Sequence, residues 1–398
     1  MNDTMAKPLD GVRVIDLTQV MAGPFCAMLL CDMGADVIKV EPPGGDSTRG
    51  MPGAIGSDSP SFNAVNRGKR GIVIDLKHPG GIGVVRRLVT KADVLVENYR
   101  PGTLAKRGLG YEELCASHPE LVYASVSGYG QTGPDAAKGG FDLVAQGVSG
   151  LMSVTGEAGQ PPVKVGVPIT DLGAGLFAVT GILAALLARD RTGRGQRVDT
   201  SLVDAGVALS VWEATQYFSG RGVPEPLGSA HRMNAPYEAI RCADGYMTIG
   251  AANDRSFERL CDALGHREWA SVPEFADNAE RVRHREDLAE RISAVMVTHD
   301  RRHWLEILER HKVPCGPIND YAEVMADPHV RARELVVETD HPTLGRIDTL
   351  GTPVKLSDTP LQPGRPGPTL GQHTDELLTE TGYTKEEIVG LRETGAVG

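Results

Sequence analysis

A chain of 398 residues is too long for one small core and predicts two or three domains. With 41% hydrophobic and 23% charged residues it has the composition of a soluble globular protein, and 48 glycines and 26 prolines against 5% aromatics favour an α/β fold over an all-β sandwich. A net charge of −11 repels nucleic acid and anionic membrane alike, so a polyanionic ligand needs a local cluster of Lys and Arg.

In chain order, residues 12–17 predict a strand, 24–33 a helix with Pro in its first turn, and 36–41 a second strand. A third strand is predicted over 71–76, then a helix over 80–91, a fourth strand over 93–97, a short helix over 111–117 and a fifth strand over 121–127. Strands alternating with helices argue for a largely parallel sheet covered on both faces. A Gly- and Pro-punctuated loop, 128–140, leads to a helix over 143–152; later come a strand over 197–202 and a helix over 203–219. Composition shifts over 220–230, which reads as a linker. Beyond it, 234–251 predicts a hairpin turning at Asp244-Gly245, followed by helices around 256–264, 286–297 and 304–311. The tail returns to short strands and turns near 342–346 and ends in helices near 374–381 and 384–392. The expected division is a large domain over 1–223, completed by 326–398, and a smaller α+β domain over 224–325.

The six cysteines form no CxxC pair and no framework spacing, which reads as reduced thiols of a cytosolic protein. Residues 1–10 lack a basic region followed by an apolar run, so no signal peptide is expected. The longest apolar stretch, 176–188, carries a Thr and a Gly and is judged too short to span a bilayer. The expected location is cytoplasmic.

One carboxylate stands out. The run Val165-Gly166-Val167-Pro168-Ile169-Thr170-Asp171 leads from an apolar segment into a helix rich in small residues. This places Asp171 at an expected strand-to-helix junction, where N-terminal amides favour negative charge. A carboxylate held there is either a helix cap or a nucleophile.

Other chemistries fare poorly. The loop after the first strand mimics a dinucleotide site, with Glu41 ending strand two where an acid would hold an NAD ribose, but Thr18-Gln19-Val20-Met21-Ala22-Gly23-Pro24 has one glycine where three are wanted. No HExxH or comparable histidine pair suggests a metal site, and His299 and His303 flank a solvated Asp-Arg-Arg turn. No GxSxG elbow and no P-loop is present.

At Gly139-Gly140-Phe141-Asp142, Gly166-Val167-Pro168-Ile169-Thr170-Asp171 and Asn98-Tyr99-Arg100-Pro101-Gly102 the chain resembles the class III CoA-transferases, the family that includes formyl-CoA, carnitine and succinyl-CoA:glutarate CoA-transferases. The resemblance extends over nearly the whole chain, from Leu9-Asp10-Gly11-Val12-Arg13-Val14-Ile15-Asp16-Leu17 through Gly34-Ala35-Asp36-Val37-Ile38-Lys39-Val40-Glu41 and Val313-Pro314-Cys315-Gly316-Pro317 to Leu370-Gly371-Gln372-His373-Thr374. It implies a Rossmann-like large domain with a parallel sheet, a smaller α+β domain threaded between its parts, and an interlocked homodimer with the active site at the interface. It also implies that Asp171 is the catalytic aspartate, acylated in turn by donor and acceptor and carrying CoA as an aspartyl thioester. CoA and acyl-CoA enter as substrates, with no permanently bound cofactor, no metal, and no nucleic-acid or membrane partner.

By the same resemblance CoA is held by Val20, Met21 and Ala22, by Ile74, Asp75, Leu76 and Lys77, by Asn98, Tyr99 and Arg100, by Lys106 and Arg107, and by Lys138 and Gly139. Lys77, Arg100, Lys106 and Arg107 would give an acidic protein the cationic patch that phosphates need. The chain departs from the formyl-CoA transferase pattern at Glu41-Pro42, where that branch has an arginine after the acid. The related α-methylacyl-CoA racemases carry a histidine base between Gly and Asp where this chain has Phe141, and phenylalanine exchanges no proton. Asp142 is read as orienting Asp171 or the thioester, or else as a loop cap. The segments 228–237 and 250–254 resemble the dicarboxylate branch, whose acceptor needs a cation for its far carboxylate; Arg100, Arg107 and Arg232 are the candidates, and His231 reads as a loop residue before a ligand. The rivals to CoA transfer are an acyl-CoA racemase or epimerase and a catalytically silent CoA-binding protein.

Overall fold

Six strands, Arg13–Asp16 (β1), Asp36–Glu41 (β2), Arg70–Val73 (β3), Val94–Glu97 (β4), Val122–Ser127 (β5) and Arg197–Ser201 (β6), form one sheet in the computed structural model, which describes residues 7–361, 363 and 365–398. All neighbours pair in parallel, in the order β3-β2-β1-β4-β5-β6. Val94, Leu95 and Val96 are wholly buried, because a parallel sheet covered on both faces leaves no polar side for alternation. Successive side chains still point opposite ways. Val14 enters the core under Ala22–Asp32 (α1), and Ile15 enters the core on the other face.

Between the strands lie Pro60–Asn66 (α2), Pro79–Val89 (α3), Tyr111–Ser117 (α4), Asp142–Val148 (α5), Leu151–Val154 (α6) and Ile169–Thr192 (α7), and after β6 come Leu202–Leu209 (α8) and Val211–Phe218 (α9). Three expectations are corrected in detail. The third strand ends at Val73 and not at residue 76, because Ile74 leaves the ladder to bridge Val397. The helix expected over 143–152 is broken between α5 and α6, where Gly150 takes a left-handed φ of 88°. The helix expected over 203–219 is two, since the Ser210 hydroxyl bonds back to the Gly206 carbonyl at the break.

Helix α7 is longer than its apolar stretch suggested. Its 24 residues are long and apolar enough to cross a bilayer by length and composition, which corrects the expectation of a segment too short to do so. One side of it packs on α1, α8, β5 and β6; the other leaves Leu176, Phe177 and Leu187 exposed. Close approach to α1 depends on Gly175, where a Cβ would come within 2.8 Å of the Ala22 carbonyl oxygen.

The chain divides into two compact units. The larger holds the described residues up to Leu151 together with Lys164–Thr215 and Pro328–Gly398, the last including an antiparallel pair, Val336–His341 and Gly345–Leu350. The smaller holds Met152–Val163 and Gln216–Asp327. Its three-stranded antiparallel sheet, Tyr237–Cys242, Gly245–Gly250 and Cys315–Pro317, packs on helices through Phe257, Ile292 and Trp304.

Candidate functional site

Asp171 lies in the first turn of α7, and no strand precedes it: residues 161–166 are irregular, so the junction is loop to helix. The cap position is Pro168, which offers no side-chain acceptor. The acceptor comes from α5 instead. Asp142 Oδ1 accepts from the Thr170 amide at 3.0 Å and from Thr170 Oγ1 at 2.7 Å. Its Oδ2 accepts from Gln146 Nε2 at 2.7 Å, and Gln146 Oε1 accepts from the Val165 amide at 2.8 Å. The two roles a carboxylate could play here are thus divided between two residues. Asp142 caps the helix, and Asp171 is left over.

No side-chain hydrogen bond or ion pair from the described residues engages the Asp171 carboxylate. Burial first, then the charge on Asp142, push its pKa up to about 6. Such a group is a stronger base than an ordinary aspartate, yet ionised for the most part at neutral pH. Asp142→Asn is expected to move the Asp171 titration to lower pH, because the repelling charge is gone. It should also cost about 1 kcal/mol of stability, since the new amide faces the Gln146 donor. Carbon-13 NMR of the aspartate carboxyls and urea unfolding read the two effects; an unmoved titration would show that Asp142 does not act on Asp171.

The free carboxylate faces a cleft of about 220 Å³. Its walls are Val20, Met21 and Ala22 after β1, Asn98 and Tyr99 after β4, and Gly128 and Gly140 beyond β5. Strand order reverses between β1 and β4, and ligands in open α/β sheets sit at such switch points beyond the strand C-termini. Phe141 also lines the cleft and is 77% exposed.

A second cleft of about 160 Å³ brings together Ile74, Asp75, Leu76 and Lys77 with Arg107. It shares Gln19 and Tyr99 with the first, so the two are neighbours along one surface. The other cations scatter. Arg100 lies against Gly139, 3.0 Å from where a Cβ there would stand, and lines a third cavity with Glu97 and Glu112. Lys106 is exposed and lines none of these, and Lys138 pairs with Asp135 at the surface at 2.8 Å. In the smaller unit, Arg232 donates to the Glu225 carbonyl at 2.8 Å and His231 packs edge-on to Tyr237.

Glu41 is not free for a ribose. Arg49 takes both its oxygens, at 2.6 and 2.7 Å, in a buried bidentate pair. Asn98 is likewise occupied, donating to the Gln19 carbonyl at 2.7 Å and accepting from the Gln19 amide at 2.8 Å. Gln19 does not stand out in the sequence, and neither do the buried charges beneath it, Asp16, Lys39, Asp46 and Lys69. A lysine and an aspartate inside strands that read as buried are the signal that could have found them, since such charges need partners. Among the described residues no group of three or more His, Cys, Asp or Glu side chains is placed to hold a metal ion.

Comparison with known proteins adds a family. The model described as CoA-transferase family III matches residues 9–374. The succinate–glutarate CoA-transferase of Agrobacterium fabrum is 43% identical over 381 residues, covering 94% of this chain and 95% of that protein. The succinyl-CoA:glutarate CoA-transferase of Homo sapiens is 40% identical over 394 residues, covering 98% of this chain and 90% of its own. The crystal structure of a CAIB/BAIF family protein from Brucella suis superposes with a TM-score of 0.85 at 39% identity, over 94% of this chain and 99% of that one.

Proposed function

Since the chain belongs to CoA-transferase family III, we propose that it carries CoA from succinyl-CoA to a second dicarboxylate through a thioester on Asp171. The observation that carries this is the cleft carboxylate left without a partner while its neighbour takes the capping role. An Asp171 oxygen attacks the thioester carbonyl carbon, the C–S bond breaks, and CoA thiolate leaves behind a mixed anhydride. The thiolate then attacks Cγ of Asp171, the Cγ–O bond breaks, and succinate departs. The acceptor carboxylate attacks that aspartyl thioester and expels thiolate, which attacks the acceptor carbonyl and frees Asp171.

Each step exchanges one carboxylate or thiolate for another, so no proton is moved. That suits this cleft, in which Tyr99 is the only titratable side chain besides Asp171 among the described lining residues. Two-base racemisation has no such support, because Phe141 stands where its histidine would be.

The phosphates of CoA fit the second cleft, against Lys77 and Arg107, and the pantetheine arm passes Gln19 and Tyr99 to bring sulfur to Asp171. Of the three cations suited to an acceptor's far carboxylate, Arg107 faces the phosphate end and Arg232 is engaged in the smaller unit. Arg100 holds no side-chain hydrogen bond or ion pair from the described residues and touches Gly139 beside the cleft, which favours it. An interlocked homodimer, with the large domain over 1–223 and 326–398 and the small one over 224–325, completes the proposal. The apolar faces of α5, α7 and α9, with Phe141, Leu176 and Trp212 exposed, suit a second copy. Six free cysteines are consistent with a cytoplasmic setting.

Incubation with succinyl-CoA followed by hydroxylamine should convert Asp171 to its hydroxamate, found by mass spectrometry of the peptide; modification elsewhere or nowhere would end the covalent scheme. The pH profile provides a second check. Because the nucleophile is the ionised form and its pKa is about 6, kcat/KM should fall about tenfold per pH unit below that value and level off above pH 7. A profile flat down to pH 5 contradicts it.

A further inference from the structure

The wall of the Asp171 cleft contains a conformational oddity. Val20 has φ of 69°, in the left-handed region that β-branched residues avoid, and the residue is 42% exposed. A residue with little burial of its own does not hold such a conformation; something must impose it. The constraints come from below. Asp46 Oδ2 accepts from the Val20 amide at 3.2 Å and from Lys39 Nζ at 3.2 Å, while Lys39 Nζ also donates to the Thr18 carbonyl. Lys39 and Asp46 are buried, with side chains 0% and 1% exposed. The other Asp46 oxygen accepts from the Thr48 amide and hydroxyl, at 3.0 and 2.8 Å, which fixes the carboxylate in place. Lys69 grips the first turn of α1, into which the loop runs, through the Pro24 carbonyl at 3.0 Å.

Buried ion pairs add little net stability over apolar packing, so four buried charges beneath one loop ask for another explanation. They supply rigid, strongly directed hydrogen bonds to backbone groups that the sheet has already released. Resting on the CoA-transfer reading above, we propose that Asp46, seated on Lys39, is a positioning residue for CoA: by holding the Val20 amide it keeps Val20 left-handed and sets the wall of Val20, Met21 and Ala22 against which the thioester arm lies. Asp46 touches no substrate in this scheme.

The test is a double-mutant cycle with CoA binding by calorimetry. Asp46→Asn keeps the size of the side chain but turns a donor or a neutral oxygen toward Val20; the Kd for CoA should rise at least about tenfold, with KM for succinyl-CoA rising in step and kcat within about threefold. In a Val20→Gly background, where the left-handed conformation has no steric cost, the same Asp46→Asn change should cost about threefold or less. A role in stability alone would give equal penalties in both backgrounds, and that result overturns the proposal while leaving the CoA-transfer reading intact. Should Asp46→Asn not fold, Asp46→Glu keeps the charge beside Lys39 and misplaces the acceptor. The same cycle then applies: unequal penalties support the proposal and equal ones overturn it. Amide hydrogen exchange over residues 18–24 supplies a readout free of ligand. It should speed up in Asp46→Asn relative to the rest of the sheet; unchanged exchange overturns the clamp. If the unaltered protein binds no CoA, the CoA-transfer reading fails, and exchange alone decides whether Asp46 holds the loop.

Discussion

Asp171→Asn is expected to lower CoA transfer by about 10³- to 10⁶-fold and to abolish the hydroxylamine-trapped adduct, with CoA still bound within a few-fold of the original affinity. An amide nitrogen does not open a thioester, and the cleft offers no replacement, because Asp142 is committed to Thr170 and Gln146. The same substitution should stabilise the fold at pH 8. Folding raises the Asp171 pKa from 3.8 to about 6, so the stability linked to this group is present below the unfolded value and lost as pH rises through the folded one. Removing the charge therefore recovers about 1–2 kcal/mol at pH 8, discounted from about 3 for solvent reaching the cleft, and close to nothing at pH 3.5. Urea unfolding at the two pH values measures this. An inactive variant that is also destabilised at pH 8 would mark Asp171 as a structural residue, and an active one would remove it from the chemistry.

The parts of this site that are legible in the sequence are those set by local pattern. Apolar runs of strand length between helical segments yield the first five strands within a few residues, since burial on both sides of the sheet leaves little polar alternation; the edge strand β6 is polar and begins exposed. Asp171 is visible because a small-residue helix follows it, and Gly175 shows why: a larger residue there would push α1, and with it the Val20–Ala22 wall, away from the carboxylate. What stays hidden is set by partners distant in sequence. Lys69 meets Asp16 at 2.8 Å across 53 residues, and Arg49, nearer in the chain, occupies both oxygens of Glu41, through pairings that no periodicity encodes. The pairing of Asn98 with the backbone of Gln19 stays hidden for the same reason, and Asn98 still lines the Asp171 cleft. The cationic patch read from Lys77, Arg100, Lys106 and Arg107 also divides in space, because only Lys77 and Arg107 line one cleft.

Gly140→Ala is expected to cost about 10²-fold in kcat/KM, a large effect for a single methyl group. Its Cβ would stand 2.5 Å from the Gly128 Cα, and a Cβ on Gly128 would stand 2.7 Å from the Gly140 Cα and amide nitrogen. Neither partner has a side chain that could turn aside, so the two backbone segments must part. One of them closes β5; the other leads through Phe141 into Asp142, whose carboxylate sets the start of α7 and hence the place of Asp171. A displacement approaching about 1 Å at the reacting group is enough for a hundredfold loss. Stability moves less, because reduced freedom of the unfolded chain returns up to about 1 kcal/mol against an overpacking cost of about 1–3 kcal/mol. Gly83→Ala separates the two effects. Gly83 lies in α3 with nothing within 4 Å of its would-be Cβ, so the same methyl group should leave kcat/KM unchanged and stabilise by about 0.5–1 kcal/mol. Equal activity in the two variants would mean that contact between the Gly128 and Gly140 backbones does not position Asp171 for the proposed transfer.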